Sequence, residues 1–148
     1  MANRSRYLVA TLRAIGVLDL FAFFAVVAPR SWINASHQSL GMGDFPSDSI
    51  AGYLARSTSL WYVGYGLLLW YLAADVQAYS RIIALIAWLM IVQGGIVVGI
   101  DWAEGMPVWW TVLEGPCCAG LGVLILILQR WSAKEGLPET TLSRTEST

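Results

Sequence analysis

The chain has 148 residues, of which 57 % are apolar and 13 % charged, and its net charge is −1. A soluble surface needs about a quarter of its residues charged, so the composition argues against one modest soluble domain. The near-neutral balance, with no basic patch interleaved with aromatics, likewise argues against a nucleic-acid partner.

A helix needs about 20 mostly apolar residues to cross ~30 Å of hydrocarbon. Four windows answer to that pattern, at 8–28, 58–74, 82–100 and 108–128. They leave no room for a separate soluble domain. Arg4 and Arg6 precede the first window, which ends at Ala28-Pro29-Arg30. It is longer than the apolar region of a signal peptide and carries Asp19 in its middle, so it is expected to be a retained helix.

The segment 30–57 is the one long connection. Gly41-Met42-Gly43-Asp44-Phe45-Pro46 within it is a turn-rich break, since Gly and Pro punctuate helices. A short interfacial helix is expected over 32–40, and Ser47 or Asp48 is expected to cap a helix running into the second span. A short turn with Gln77, Tyr79 and Arg81 leads to the third span, and Gly105 with Pro107 breaks the chain before the fourth. Residues 132–148 are polar and expected to form a disordered cytoplasmic tail, so the spans occupy a domain of residues 1–131.

Charge orients this pattern. Arg4, Arg6, Arg13, Arg81, Arg130, Lys134 and Arg144 lie on one side, and only Arg30 and Arg56 on the other. Positive flanks are retained in the cytoplasm. Both termini are therefore expected to be cytoplasmic and 30–57 outside, in a multi-pass protein of a cell inner membrane. Trp32, Trp61, Tyr62, Trp102, Trp109 and Trp110 mark the outer interface, and Tyr7, Trp70, Tyr71, Tyr79 and Trp131 the inner one. Short connections make neighbouring helices antiparallel, so the expected fold is all-α, a four-helix membrane bundle with short loops and one longer outer loop. Gly95-Ile-Val-Val-Gly99 and the step from Gly115 to Ala119 are the small-residue motifs expected to bring helices together.

Polar groups inside hydrocarbon cost ~2.5–3.5 kcal/mol when charged, which makes them the best pointers to function. Asp19 lies nine residues inward of Ala28, Glu114 six beyond Val108 and Gln93 eight before Asp101. At 1.5 Å per residue these depths are about 13, 9 and 12 Å, all in the outer half. Arg56, Tyr62 and Asp101 belong to the same level or its rim. The six residues Asp19, Arg56, Tyr62, Gln93, Asp101 and Glu114 are the candidate lining of an outward-facing pocket for a small molecule, a lipid headgroup or a proton. The alternative is structural, with Arg56 paired to Glu114 or Asp101 and the others bonding across helices.

Pro116 withholds a backbone donor near Val112 and leaves the fourth span irregular beside Glu114. His37 is the only histidine and the adjacent Cys117 and Cys118 form no C-x-x-C. Neither a bis-histidine haem site nor a zinc spacing exists, so no metal or cofactor is expected.

Three strings, Tyr53-Leu-Ala-Arg-Ser-Thr-Ser59, Asp101-Trp102 with Gly105-Met-Pro-Val-Trp-Trp110, and Glu114-Gly-Pro116, resemble those of small bacterial four-span membrane proteins of the DoxX-like group. The resemblance covers residues 8–130 and implies the same four-span fold. It transfers no residue roles, and the quinone-linked assemblies its name suggests find no redox ligand here.

The function expected from the sequence is non-enzymatic. A polytopic membrane protein would bind a small or lipidic ligand, or serve as a subunit of a homo-oligomer or larger membrane complex. The alternatives are a small proton-coupled transporter using Asp19 and an intramembrane lipid-modifying enzyme using Glu114 and Asp19.

Overall fold

A computed structural model of the chain describes residues 3–135, with side chains described for residues 5–133. Among them every regular element is a helix: α1 (Asn3–Leu20), α2 (Phe23–Val27), α3 (Arg30–Ser39), α4 (Ser49–Leu72), α5 (Ser80–Ala103) and α6 (Val108–Glu135).

Three stretches are long and apolar enough to cross a membrane: Ser5–Val27, Ser80–Ala103 and Val108–Ala133. The first includes both α1 and α2. The fourth expected span belongs to α4, which is 24 residues long and so about 36 Å. It has the length but not the apolarity, because Ser57, Thr58, Ser59, Tyr62, Gly64, Tyr65 and Gly66 dilute its hydropathy. A four-helix membrane bundle is thus not established by length and composition alone.

The chain divides into two compact units. One combines the first turns of α1 with α5 and α6. Its core is formed by Leu8, Val76, Ile83, Ile86, Ala87, Met90, Ile125 and Leu128, all buried. The opposite face of α5, carrying Leu85, Leu89, Val92, Ile96 and Ile100, is equally apolar and exposed. A helix apolar all round has no face suited to water and is a membrane span or the core of a large protein.

The α5–α6 contact is close because small residues face each other. A Cβ on Gly94 would lie 2.8 Å from the Ala119 nitrogen and 2.9 Å from its Cβ, with the Gly115 carbonyl nearer still. Farther along, a Cβ on Gly122 would meet the Ala87 carbonyl at 2.5 Å. The step from Gly115 to Ala119 therefore packs as expected, but its partner on α5 is Gly94. Gly95 and Gly99 have nothing within 4 Å of a built Cβ. Their spacing places both on one face of the helix, and that face is the open one. Gly105, at φ 68°, takes the left-handed conformation that ends α5 and turns the chain back.

The second unit comprises Leu12–Ala74. Leu12, Ile15, Leu69, Leu72 and Ala73 are its buried side chains. α1 and α4 touch through glycines: a Cβ on Gly66 would sit 2.7 Å from the Gly16 carbonyl, and one on Gly16 would sit 2.9 Å from that of Gly66. The Trp70 indole locks the contact by donating to the Arg13 carbonyl at 3.1 Å, while the Arg13 guanidinium stacks 5.9 Å from the Trp70 ring centroid.

The connection after α2 is built rather than loose. Arg30 donates to the carbonyls of Pro46 at 2.7 Å and Asp48 at 2.6 Å. The Asn34 side chain accepts from the Phe45 amide at 2.7 Å. His37 meets the Gly43 carbonyl at 3.0 Å and the edge of Phe45. Asp48 holds the N-cap position of α4 in extended backbone but makes no side-chain cap bond. α6 continues through Ser132 to Glu135, and the rest of the expected tail lies outside the described residues.

Candidate functional site

The predicted site residues fall in both units. Asp19, Arg56 and Tyr62 belong to the second, and Gln93, Asp101 and Glu114 to the first.

Asp19 sits where the first span breaks. Along α1 each amide bonds four residues back, but the Phe21 amide is shared between the Val17 and Leu18 carbonyls, at 3.2 and 3.1 Å, and the Ala22 amide turns to Asp19 at 3.1 Å. That tightening separates α1 from α2. No Pro or Gly occurs between Val17 and Ala28, so the break carries no local sequence signal. The Asp19 carboxylate lies over the glycine contact, its Cβ 3.0 Å from a Cβ built on Gly66. Its Oδ2 is buried without a hydrogen-bond partner. A carboxylate oxygen in that condition lacks the proton, cation or donor that would offset its desolvation.

Tyr62 stands one helical turn before Gly66 on the same face of α4, and it is partly exposed. Arg56 lies ten residues before Gly66, about 15 Å along the helix. It donates to the Ala28 carbonyl at 3.0 Å, satisfying the end of α2. Arg56 also lines a groove of about 630 Å³ with Arg30, Tyr53, Ser57 and the apolar side chains of Val26, Ile33 and Leu60. Asp19 and Tyr62 are not among the residues lining it. The groove and the buried carboxylate are therefore separate features of one unit.

In the other unit Glu114 accepts a hydrogen bond from the Trp110 indole one turn earlier on α6. Asp101 is 5 % exposed, and its Oδ2 has no partner. Its backbone carbonyl accepts from Met106 at 2.9 Å in the turn into α6. Gln93 stands on the exposed side of α5, next to the buried Gly94. Cys118 donates to the Met90 carbonyl at 3.5 Å across the α5–α6 contact, while Cys117 is exposed. Among the described residues no three His, Cys, Asp or Glu side chains gather as a metal site would require.

No family model, curated protein or solved structure matches the chain. Sequence reasoning singled out the two aspartates, Asp19 and Asp101, whose Oδ2 atoms prove to be buried and unpartnered. It missed Gly16 and Gly66, whose contact positions Asp19. Isolated glycines inside a predicted helix, Gly16 three residues before Asp19 and Gly66 four after Tyr62, were the available signal.

Proposed function

We propose that the chain is a four-span, multi-pass membrane protein of a cell inner membrane, with both termini cytoplasmic, that binds a small ligand at Asp19 without transforming it. The observation that carries this reading is the Asp19 carboxylate oxygen, buried and unpartnered at a break in the first span. Ionisable groups at such depth mark ligand, ion or proton sites, and interrupted helices recur at the binding centres of transporters. A ligand answering an acidic oxygen brings a cationic or hydrogen-bond-donating group, so the expected class is a small lipophilic cation or amine. α4 serves as the fourth span in this reading. Its exposed Leu60, Trp61, Leu67, Leu68 and Tyr71 supply the lipid-facing surface that its mean hydropathy understates. The DoxX-like resemblance is consistent with four spans and adds no ligand.

A second reading shares the site. With a proton in place of the cation, Asp19 would be the exchangeable group of a small proton-coupled transporter, and the broken span favours that reading as much as simple binding. The lipid-modifying alternative needs Glu114 available as an acid or base, whereas Glu114 is already engaged by Trp110.

Tetraphenylphosphonium is a suitable probe. It should raise the thermal stability of the purified protein in detergent, and dicyclohexylcarbodiimide should label Asp19 less readily in its presence. Asp19→Asn, which keeps the side-chain shape, should fold and lose both effects. Equal stabilisation of parent and variant by the cation would refute a site at Asp19. Cation-driven proton movement in reconstituted vesicles would select transport over binding.

A further inference from the structure

At the end of the α5–α6 unit opposite the Gly105 turn, a groove of about 460 Å³ opens between the first turns of α5 and the last turns of α6. Two exposed arginines line it, Arg81 from α5 and Arg130 from α6. The Gln129 amide crosses between the helices to donate to the Ser80 carbonyl and holds the two walls together. Ser132 also lines the groove. It is 7 % exposed, and its hydroxyl is buried without a hydrogen-bond partner. The Ser80 amide that opens α5 reaches the Gln77 carbonyl at 3.4 Å, which leaves those of Arg81 and Ile82 with no acceptor within the helix, and a helix N-terminus favours negative charge.

The two guanidiniums and the unpartnered Ser132 hydroxyl ask for an anion. Among the described side chains Asp75 is the nearby acidic residue of the preceding turn, and its Oδ1 is occupied by the Gln77 and Ala78 amides at 3.1 and 3.0 Å. It caps its own turn and does not line the groove.

Away from the arginines the lining changes character. Ala84, Trp88 and Leu126 continue it along the helices, and Trp88 is 54 % exposed. A soluble anion has no use for this apolar wall. A phospholipid has a phosphate for the arginines and acyl chains for Trp88 and Leu126, and Trp88, seven residues or about 10 Å along α5 from Arg81, stands at acyl-chain depth when the arginines meet the headgroup. We propose that this groove binds the phosphate of an anionic phospholipid from the leaflet on the side of Arg81 and Arg130. Basic pockets between spanning helices recognise acidic headgroups in this way. The proposal rests on the membrane reading of α5 and α6 and is independent of Asp19.

The test uses the full chain in dodecylmaltoside micelles. Phosphatidylglycerol added to the micelles should raise the melting temperature and survive as a bound adduct in native mass spectrometry. Phosphatidylcholine and inorganic phosphate at matched concentration should do neither. At about 1 kcal/mol per arginine, the double variant Arg81→Gln/Arg130→Gln should bind phosphatidylglycerol about thirtyfold more weakly. Ala84→Trp, which fills the groove and leaves both charges in place, should abolish the adduct. A readout that needs no charge variant is fluorescence. Phosphatidylglycerol with brominated chains should quench the protein more than brominated phosphatidylcholine, and Trp88→Phe should remove the difference. Equal behaviour of the two lipids would overturn the proposal. Protection by phosphate alone would replace the lipid with a soluble anion, and unchanged binding by Ala84→Trp would move the lipid elsewhere.

Discussion

Adding one methyl group at Gly94 and, separately, at Gly95 tests the α5–α6 packing at neighbouring positions of one helix. At Gly94 the new Cβ would stand 2.8 Å from the Ala119 nitrogen and 2.9 Å from its Cβ, where ordinary contacts need 3.4–4 Å. The obstacles are mainly backbone, so the helices must separate by several tenths of an ångström along the contact. Overpacking of that kind typically costs 1–3 kcal/mol. Helix propensity returns about 1 kcal/mol, which leaves Gly94→Ala destabilised by up to about 2 kcal/mol. At Gly95 the methyl meets nothing within 4 Å, so only propensity acts and Gly95→Ala should be neutral or up to about 1 kcal/mol more stable. Unfolding in mixed micelles of dodecylmaltoside and dodecyl sulfate, followed by circular dichroism, measures both. The reasoning is refuted if Gly95→Ala is the damaging change and Gly94→Ala the harmless one. That result would put the Gly95–Gly99 motif at the contact.

Two other expectations follow from individual hydrogen bonds. Trp110→Phe removes the donor to Glu114 and should lower stability by about 1–3 kcal/mol, because the carboxylate loses its partner. Adding Glu114→Gln should recover part of that loss, whereas strictly additive melting shifts would deny the coupling. Arg30→Ala should release the carbonyls of Pro46 and Asp48 and raise amide exchange across residues 42–48 with little change in α5 or α6. Unaltered exchange there would show that the connection is held by other contacts.

Much of the helical layout was legible in the sequence because length and hydropathy determine it. α3 (Arg30–Ser39) falls within two residues of the helix expected at 32–40, and the break at Gly41–Pro46 is where Gly and Pro place it. The second apolar window covers only part of its helix, and the start expected after Ser47 or Asp48 is where that helix opens. α4 begins at Ser49, because Asp48 starts a helix whose first two turns are too polar to register as membrane. Hydropathy also could not show that α1 ends at Asp19 and Leu20, since the residues there are ordinary helix formers and the tightening appears only in the hydrogen bonds.

The glycine motif illustrates a different limit. Spacing identifies residues that share a helix face, but not which face meets a neighbour. Gly94 and Gly95 are adjacent and point apart, and only the structure distinguishes them. The exceptions to the charge bias, Arg30 and Arg56, also become intelligible. Each is bound to a backbone carbonyl at a helix end, so each has a structural reason to stand where positive charge is otherwise sparse. Asp19 was found from sequence alone because a carboxylate in an apolar window has few innocent explanations, and its buried, unpartnered Oδ2 keeps it the leading candidate.

The number of spans is the most direct test of the whole account, because it decides whether the two termini share a side. Cysteines placed at Ser39 and Ser143, each in a chain with Cys117 and Cys118 replaced by alanine, can be challenged in intact cells with a membrane-impermeant maleimide. If α4 crosses the membrane with α1, α5 and α6, the position-39 probe should be labelled and the position-143 probe protected until the cells are opened. If α4 does not cross, three spans leave the termini on opposite sides, and labelling of both probes in intact cells would contradict the four-span architecture.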